Sequence, residues 1–172
     1  IWEKNIHLES CKNTFYIHPG QAFGTGSHET TSLCLELLDQ LNQQELLRNA
    51  NCLDFGHGSG ILGLVASQMG ANRVDFYDID PEANINTEVN ISNNFPNDLL
   101  AKDKLNLISN DKKSEIKKDY SIVFANILLD ALIFESIFLN EILPKNGYLI
   151  LSGILQEQEQ ELIQHYSNHI NI

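Results

Sequence analysis

The chain has 172 residues, 42% of them hydrophobic, and a formal net charge of −12 at pH 7. That is enough for a single domain with a sizeable core. No apolar run approaches the ~20 residues of a membrane span, no signal segment opens the chain, and the acidic balance excludes a general nucleic-acid binder, which needs a basic footprint.

In chain order, "TFYIHP" reads as a strand. "HPGQAFGTGSHETT" (18–31) packs three glycines and four hydroxyl residues around Phe23; it suits either a tight loop or a ligand cradle. Ser27 is placed to cap a following helix, with Leu33, Leu37, Leu38 and Leu41 on one face. "NCLDF" is a strand, "GILGLVASQMG" a helix ending at Gly70, and "RVDFYD" the next strand. In "DIDPEANINTEVNISNN", Asp80 is the predicted N-cap and Pro81 the first helical residue. "LNLIS", "SIVFAN" and "GYLILSG" are further strands, with a helix from about Leu128 to Glu141. A last helix runs from about Gln156 to Tyr166, and "HINI" reads as the start of a strand. Strands alternating with helices predict an α/β fold: a doubly wound, Rossmann-like, mostly parallel sheet with helices on both faces.

Charge and cysteine usage add little. Six of the eleven basic residues fall between Lys102 and Lys118, a stretch read as a solvated loop, so the remainder is more acidic still. Such a surface suits a lysine-rich protein partner, although ordinary solubility accounts for it more simply. Cys11, Cys34 and Cys52 lack metal-ligand spacing and are expected to be reduced thiols of a cytoplasmic protein. His18 and His28 have no evident third ligand, so no metal is expected.

In a doubly wound sheet, ligands bind outside the carboxyl ends of the strands. One strand ends in "LDFGHGSGILG", where Gly56, Gly58 and Gly60 allow a turn that a ligand can approach closely. Two readings are open. Gly58, Gly60 and Gly63 satisfy the dinucleotide pattern GxGxxG, with Asp78 twenty residues after Gly58; Asp54 and Gly56 extend it to Asp-x-Gly-x-Gly-x-Gly. Asp78, ending the next strand, is placed to accept hydrogen bonds from a ribose diol. Asn126, ending "SIVFAN", reaches the same rim with an amide that both donates and accepts. His57 is read as a solvent-facing turn residue.

The longer glycine pattern is similar to the first motif of class I S-adenosylmethionine-dependent methyltransferases. "HPGQAFGTGSHETT", "LDFGHGSGIL", "DIDPEA", "ANILLDAL" and "LSGIL" occur in an order and spacing that resemble the bacterial methyltransferases of large-subunit ribosomal protein eleven, the PrmA family, from about Tyr16 to Gln160. The resemblance implies S-adenosylmethionine as cofactor, contacted by Thr31, Gly56, Asp78 and Asn126, with Phe23, Gly24, Thr25 and Gly26 as a loop over it. Asp54, Gly58 and Gly60 complete the expected cofactor-binding set, and Asn126 is the candidate catalytic residue, orienting the attacking nitrogen. His57 stands where the family usually has Cys, and Glu29 where it usually has Pro.

The implied reaction is in-line methyl transfer to lysine and N-terminal amines of that ribosomal protein, the expected partner. The amine must be unprotonated: at pH 7 this costs about 4.6 kcal/mol for a lysine with pKa ~10.4 and about 1.4 kcal/mol for an α-amine with pKa ~8. No residue stands out as the base. Family members carry an N-terminal substrate-recognition domain, and this chain begins with Ile1 about where the linker would end. It is therefore expected to be a single catalytic domain, residues 1–172, cut from a longer product and incomplete at the sheet's final strand pair. Such a fragment is expected to bind cofactor but to methylate the ribosomal protein poorly. An NAD-dependent oxidoreductase on the embedded GxGxxG and a non-catalytic cofactor-binding module are the alternatives.

Overall fold

The computed structural model describes residues 14–18 and 29–167. Phe23, Gly24, Thr25, Gly26, the Ser27 cap, Cys11, His28 and "HINI" lie outside the described residues.

Five strands form one parallel sheet in the order β3-β2-β1-β4-β5: β1 Asn51–Phe55, β2 Arg73–Tyr77, β3 Leu105–Ile108, β4 Ile122–Asn126 and β5 Tyr148–Ser152. The helices are α1 Glu29–Gln43, α2 Ile61–Gln68, α3 Pro81–Asn94, α4 Leu99–Lys102, α5 Leu129–Ile142 and α6 Glu159–Ser167, with 3-10 turns at Asn110–Glu115 and Gln156–Gln158. The predicted doubly wound α/β sheet is therefore present, and its described strands are all parallel.

Both faces are covered, which is why β1, β2 and β4 read as nearly continuous apolar runs. Period-2 alternation sends Cys52, Val74, Phe76, Ile122 and Phe124 into one core with Leu35 and Leu38 of α1 and Leu64 and Val65 of α2. It sends Leu53, Phe55, Tyr77, Val123 and Ala125 into the other, with Leu132 and Leu139 of α5 and Leu162 of α6. The chain runs outward from β1 through β2 to β3, then returns to place β4 on the other side of β1. This reversal opens a crevice at the carboxyl ends of β1 and β4.

Several expectations need correction. "TFYIHP" forms no strand within its described residues, 14–18. That segment's backbone bonds side chains of α3 instead: Asn94 Oδ1 accepts from Tyr16 N (2.8 Å) and Asn94 Nδ2 donates to Tyr16 O (2.9 Å). An asparagine amide offers the donor–acceptor pair of a peptide group, so it substitutes for a neighbouring strand. The predicted face of α1 is also shifted. Thr31, Cys34, Leu35 and Leu38 are buried, whereas Leu33 and Leu37 are exposed. Finally, the 102–118 stretch is not a plain solvated loop. It contains the edge strand β3, and Lys113 lies over the rings of Phe55 and Phe138 while pairing with Glu135.

The cap of α3 is as expected. Asp80 Oδ1 accepts from Glu82 N at 3.0 Å, and Pro81 opens the helix where a missing N–H leaves nothing unsatisfied.

Candidate functional site

At the β1–β4 crevice a cavity of about 310 Å³, counting its open mouth, is lined by Thr31, Asp54, Gly56, His57, Ile61, Leu62 and Asn126. Four residues picked from the sequence thus converge from three elements: Thr31 from α1, Asp54 and Gly56 from the end of β1, and Asn126 from the end of β4. Gly58 and Gly60 belong to the same turn as Gly56.

The glycine turn has its shape fixed from within. Gly56 has φ +73°, and a Cβ there would lie 2.2 Å from Cγ2 of Ile127, so any side chain would force the β1 and β4 turns apart. The amides of the turn point inward rather than towards the cavity. Gly56 N donates to Tyr77 O (2.7 Å), Gly58 N to Asp78 Oδ2 (3.0 Å) and Gly60 N to His57 O (2.7 Å). The three glycine amides are thus taken up by partners within the protein. This weighs against the dinucleotide reading, in which such a turn presents free amides to a pyrophosphate. Asp78 is held in return: its Oδ1 accepts from Asp80 N at 2.9 Å, which fixes the carboxylate at the rim beside the turn.

His57 is buried, not solvent-facing as its place in a turn suggested. Thr87 Oγ1 lies 2.9 Å from Nδ1 and Asn84 Oδ1 lies 3.0 Å from Nε2. Asn84 directs its amide nitrogen to Ile108 O (3.5 Å), leaving its oxygen as acceptor, so Nε2 carries the proton. The Thr87 hydroxyl lies within reach of both Nδ1 (2.9 Å) and Gly58 O (3.3 Å), and its single hydrogen serves one of them. Burial holds the imidazole below its ordinary value, against the opposing pull of Asp78. Sequence reasoning missed this network because Asn84 and Thr87 arrive from α3, about thirty residues away. A signal was present in the run "NINTEVNISNN", where asparagine and threonine, poor helix formers, recur at helical spacing.

Asn126 donates from Nδ2 to Thr31 Oγ1 at 3.3 Å. Its Oδ1 is buried and has no hydrogen-bond partner. A buried acceptor without a partner costs about 1–3 kcal/mol, and this one belongs to a residue lining the cavity. The cavity therefore suits a ligand that carries an N–H or O–H to this point.

Burial pushes the Asp54 carboxyl up to about 7; the Gly63 amide bonded to Oδ2 (2.8 Å) opposes the shift and the nearby Asp78 adds to it. An aspartate in the unfolded chain titrates at about 3.9. Between those values the folded state binds more protons, so this group's contribution is fully present below the unfolded pKa and is lost as the pH rises through the folded one. Asp54→Asn is expected to flatten the decline in stability over this window, measured by urea denaturation at a series of pH values. An unchanged slope would show the carboxyl to be ionised throughout. The buried thiols Cys34 and Cys52 are free. Burial pushes them to about 11 and about 12, so neither is a nucleophile near neutral pH.

Charge is sorted along the strand axis. Among the described residues, the lysines and arginines other than Lys112 and Lys113 precede strands or open one, at the amino end of the sheet. Those two are paired with Glu115 and Glu135. The connections following β1, β2, β4 and β5 contain no lysine or arginine, whereas Asp78, Asp80, Asp130 and Glu157 lie at or just beyond this end.

The family model described as "Ribosomal protein L11 methyltransferase (PrmA)" matches residues 1–172. A ribosomal protein L11 methyltransferase of Nitrosomonas europaea is 44% identical over 154 residues, covering 88% of this chain and 48% of that protein. One from Haemophilus influenzae (strain Rd) is 40% identical over 164 residues, 95% of this chain and 52% of that protein. The chain thus spans about half the length of the curated relatives it matches. The crystal structure of ribosomal protein L11 methylase from Lactobacillus delbrueckii subsp. bulgaricus superposes with a TM-score of 0.70 at 27% identity, covering 88% of this chain and 72% of that one.

Proposed function

Because the chain belongs to the ribosomal protein L11 methyltransferase (PrmA) family over its whole length, we propose that it binds S-adenosylmethionine in the β1–β4 crevice and transfers its methyl group to amines of ribosomal protein L11. The observation that carries this reading is Asn126 Oδ1, a buried acceptor without a partner on a residue that shares a cavity with Asp54 and the glycine turn.

The residues present fit the cofactor. Asp78, at the end of β2, accepts the ribose hydroxyls on lone pairs left over from the Gly58 and Asp80 amides. Gly56 and the helix start at Ile61 and Leu62 form the wall against which it lies, and Thr31 fixes Asn126. When bound, S-adenosylmethionine supplies an activated methyl group on a sulfonium. The chain's part is then alignment and exclusion of water. One of the two amide hydrogens of Asn126 is donated to Thr31, and its oxygen is left without a protein partner. That oxygen accepts an N–H of a neutral amine and turns the nitrogen lone pair along the line of transfer; an ammonium has no lone pair to offer.

The test is a side-by-side thermal unfolding series. S-adenosylhomocysteine at about 100 times its Kd is expected to stabilise by about 2.7 kcal/mol, raising Tm by roughly 5–10 °C for a chain of this size; NAD is expected to leave Tm unchanged. Tight NAD binding with no response to S-adenosylhomocysteine would sink the proposal. Tritiated methyl transfer to purified ribosomal protein L11, with the full-length product run beside this chain, then tests the acceptor separately from the cofactor; transfer by the full-length product is expected to exceed that by this chain, and a full-length product inert on L11 would point to a different acceptor.

A further inference from the structure

Helix α3 turns a polar stripe towards the rest of the fold. Asn84, Thr87, Asn90 and Asn94 recur every three or four residues, which sets them along one face; Thr87 and Asn90 are fully buried. Each has a backbone or ring to hold. Thr87 Oγ1 reaches His57 Nδ1 (2.9 Å) and Gly58 O (3.3 Å) in the glycine turn. Asn94 brackets Tyr16 from the other end of the stripe.

Asn90 lies between them and does both. Its Oδ1 accepts from His18 N at 2.7 Å, and its Nδ2 donates to His18 O at 3.3 Å and to Ser59 O at 2.9 Å. An asparagine nitrogen has two hydrogens, so both are committed, one to each backbone segment. The side chain cannot release one segment by rotating without disturbing its bond to the other.

We propose that Asn90 is a positioning residue for the cofactor site, joining the 14–18 segment to the glycine turn so that the two respond to cofactor as one unit. The proposal rests on the cavity being the S-adenosylmethionine site. Asn90 does not line the cavity and acts through Ser59, inside the turn that carries Gly56 and Gly58. Cofactor held against the turn therefore steadies Ser59 O, through it Asn90, and through Asn90 the backbone of His18.

Amide hydrogen exchange with and without S-adenosylhomocysteine tests this, alongside calorimetric affinity. In the wild-type chain, ligand is expected to slow exchange of the His18 amide by about fivefold or more. Asn90→Asp keeps the acceptor for His18 N but loses both donors. It is expected to abolish that ligand-induced slowing and to weaken S-adenosylhomocysteine binding about tenfold, the equivalent of one hydrogen bond. Asn90→Ser, which adds no charge to the buried face, is read in the same way should Asn90→Asp fail to fold. Asn94→Ala is expected to speed Tyr16 exchange with and without ligand while leaving the ligand-induced slowing at His18 intact. A purely structural role for Asn90 would change exchange in the free chain and preserve the ligand-induced increment. Preservation of that increment in both Asn90 variants, or wild-type affinity in them, would overturn the proposal. A wild-type chain that binds S-adenosylhomocysteine without any change at His18 would overturn it while leaving the cofactor reading standing. A wild-type chain that binds no S-adenosylhomocysteine overturns both.

Discussion

Asp78→Ala is expected to lower the affinity for S-adenosylhomocysteine by roughly 10- to 150-fold, the effect of losing about 1.5–3 kcal/mol of hydrogen bonding to a charged group. The loss has two sources. The ribose diol loses its acceptor, and Gly58 N loses the carboxylate that holds it at 3.0 Å. Asp78→Asn separates them in part: the amide oxygen still accepts one hydrogen bond, and affinity should fall between the two. Asp80 is the matched control, two residues away and likewise an aspartate. Its carboxylate caps α3 through Glu82 N, so Asp80→Ala is expected to lower stability by about 1 kcal/mol while leaving affinity near wild type. Calorimetric titration together with urea denaturation reads both quantities. Equal affinities in Asp78→Ala and wild type would remove Asp78 from the site.

Gly63→Ala is expected to be strongly destabilising. A Cβ at this position would lie 2.3 Å from Cε1 of Phe76 and 2.8 Å from Cγ1 of Val74. Both neighbours are fully buried side chains of the interior strand β2. Overpacking of a core costs about 1–3 kcal/mol, and this contact belongs at the upper end; for a chain of this length that is a fall in Tm of roughly 6–12 °C. The damage also reaches the cavity, because Gly63 N is the donor to Asp54 Oδ2. Moving α2 away from β2 stretches that bond and changes the setting of the buried carboxyl. Unchanged thermal stability in Gly63→Ala would show that α2 has room to shift.

The third glycine of the GxGxxG pattern is thus explained by close packing of helix on sheet, a need common to nucleotide-binding and methyltransferase sheets alike. That is why the pattern alone left two cofactors open. What separates them is the direction of the amides at Gly56, Gly58 and Gly60, set by Tyr77 O, Asp78 and His57 O. These partners come from the end of β2 and from the turn itself, and no spacing in the sequence reveals them. The strands were legible because both sheet faces are covered and apolar runs mark them. The inward face of α1 was not, because leucines at 33, 37 and 41 satisfy helical periodicity as well as the buried set does. The choice was made by Thr31, a polar residue drawn inward by Asn126. Residues 14–17 carry alternating apolar residues and the β-branched Ile17, yet the backbone of Tyr16 and His18 bonds to asparagine side chains from a helix more than seventy residues on. His57 was misread for the same reason: exposure was inferred from its place in a turn, and the residues that bury it are distant in sequence.

Among the described residues, the connections following β1, β2, β4 and β5 contain no lysine or arginine while Asp78, Asp80 and Asp130 lie beside them, so the local field at the crevice is negative. A positively charged partner is therefore drawn preferentially towards the end where Asn126 waits. This bias acts on rates of association, not on the geometry of transfer. It also has a range: with a Debye length of about 10 Å at 0.1 M salt, this attraction fades as ionic strength rises, while the buried hydrogen bonds of the crevice are screened much less.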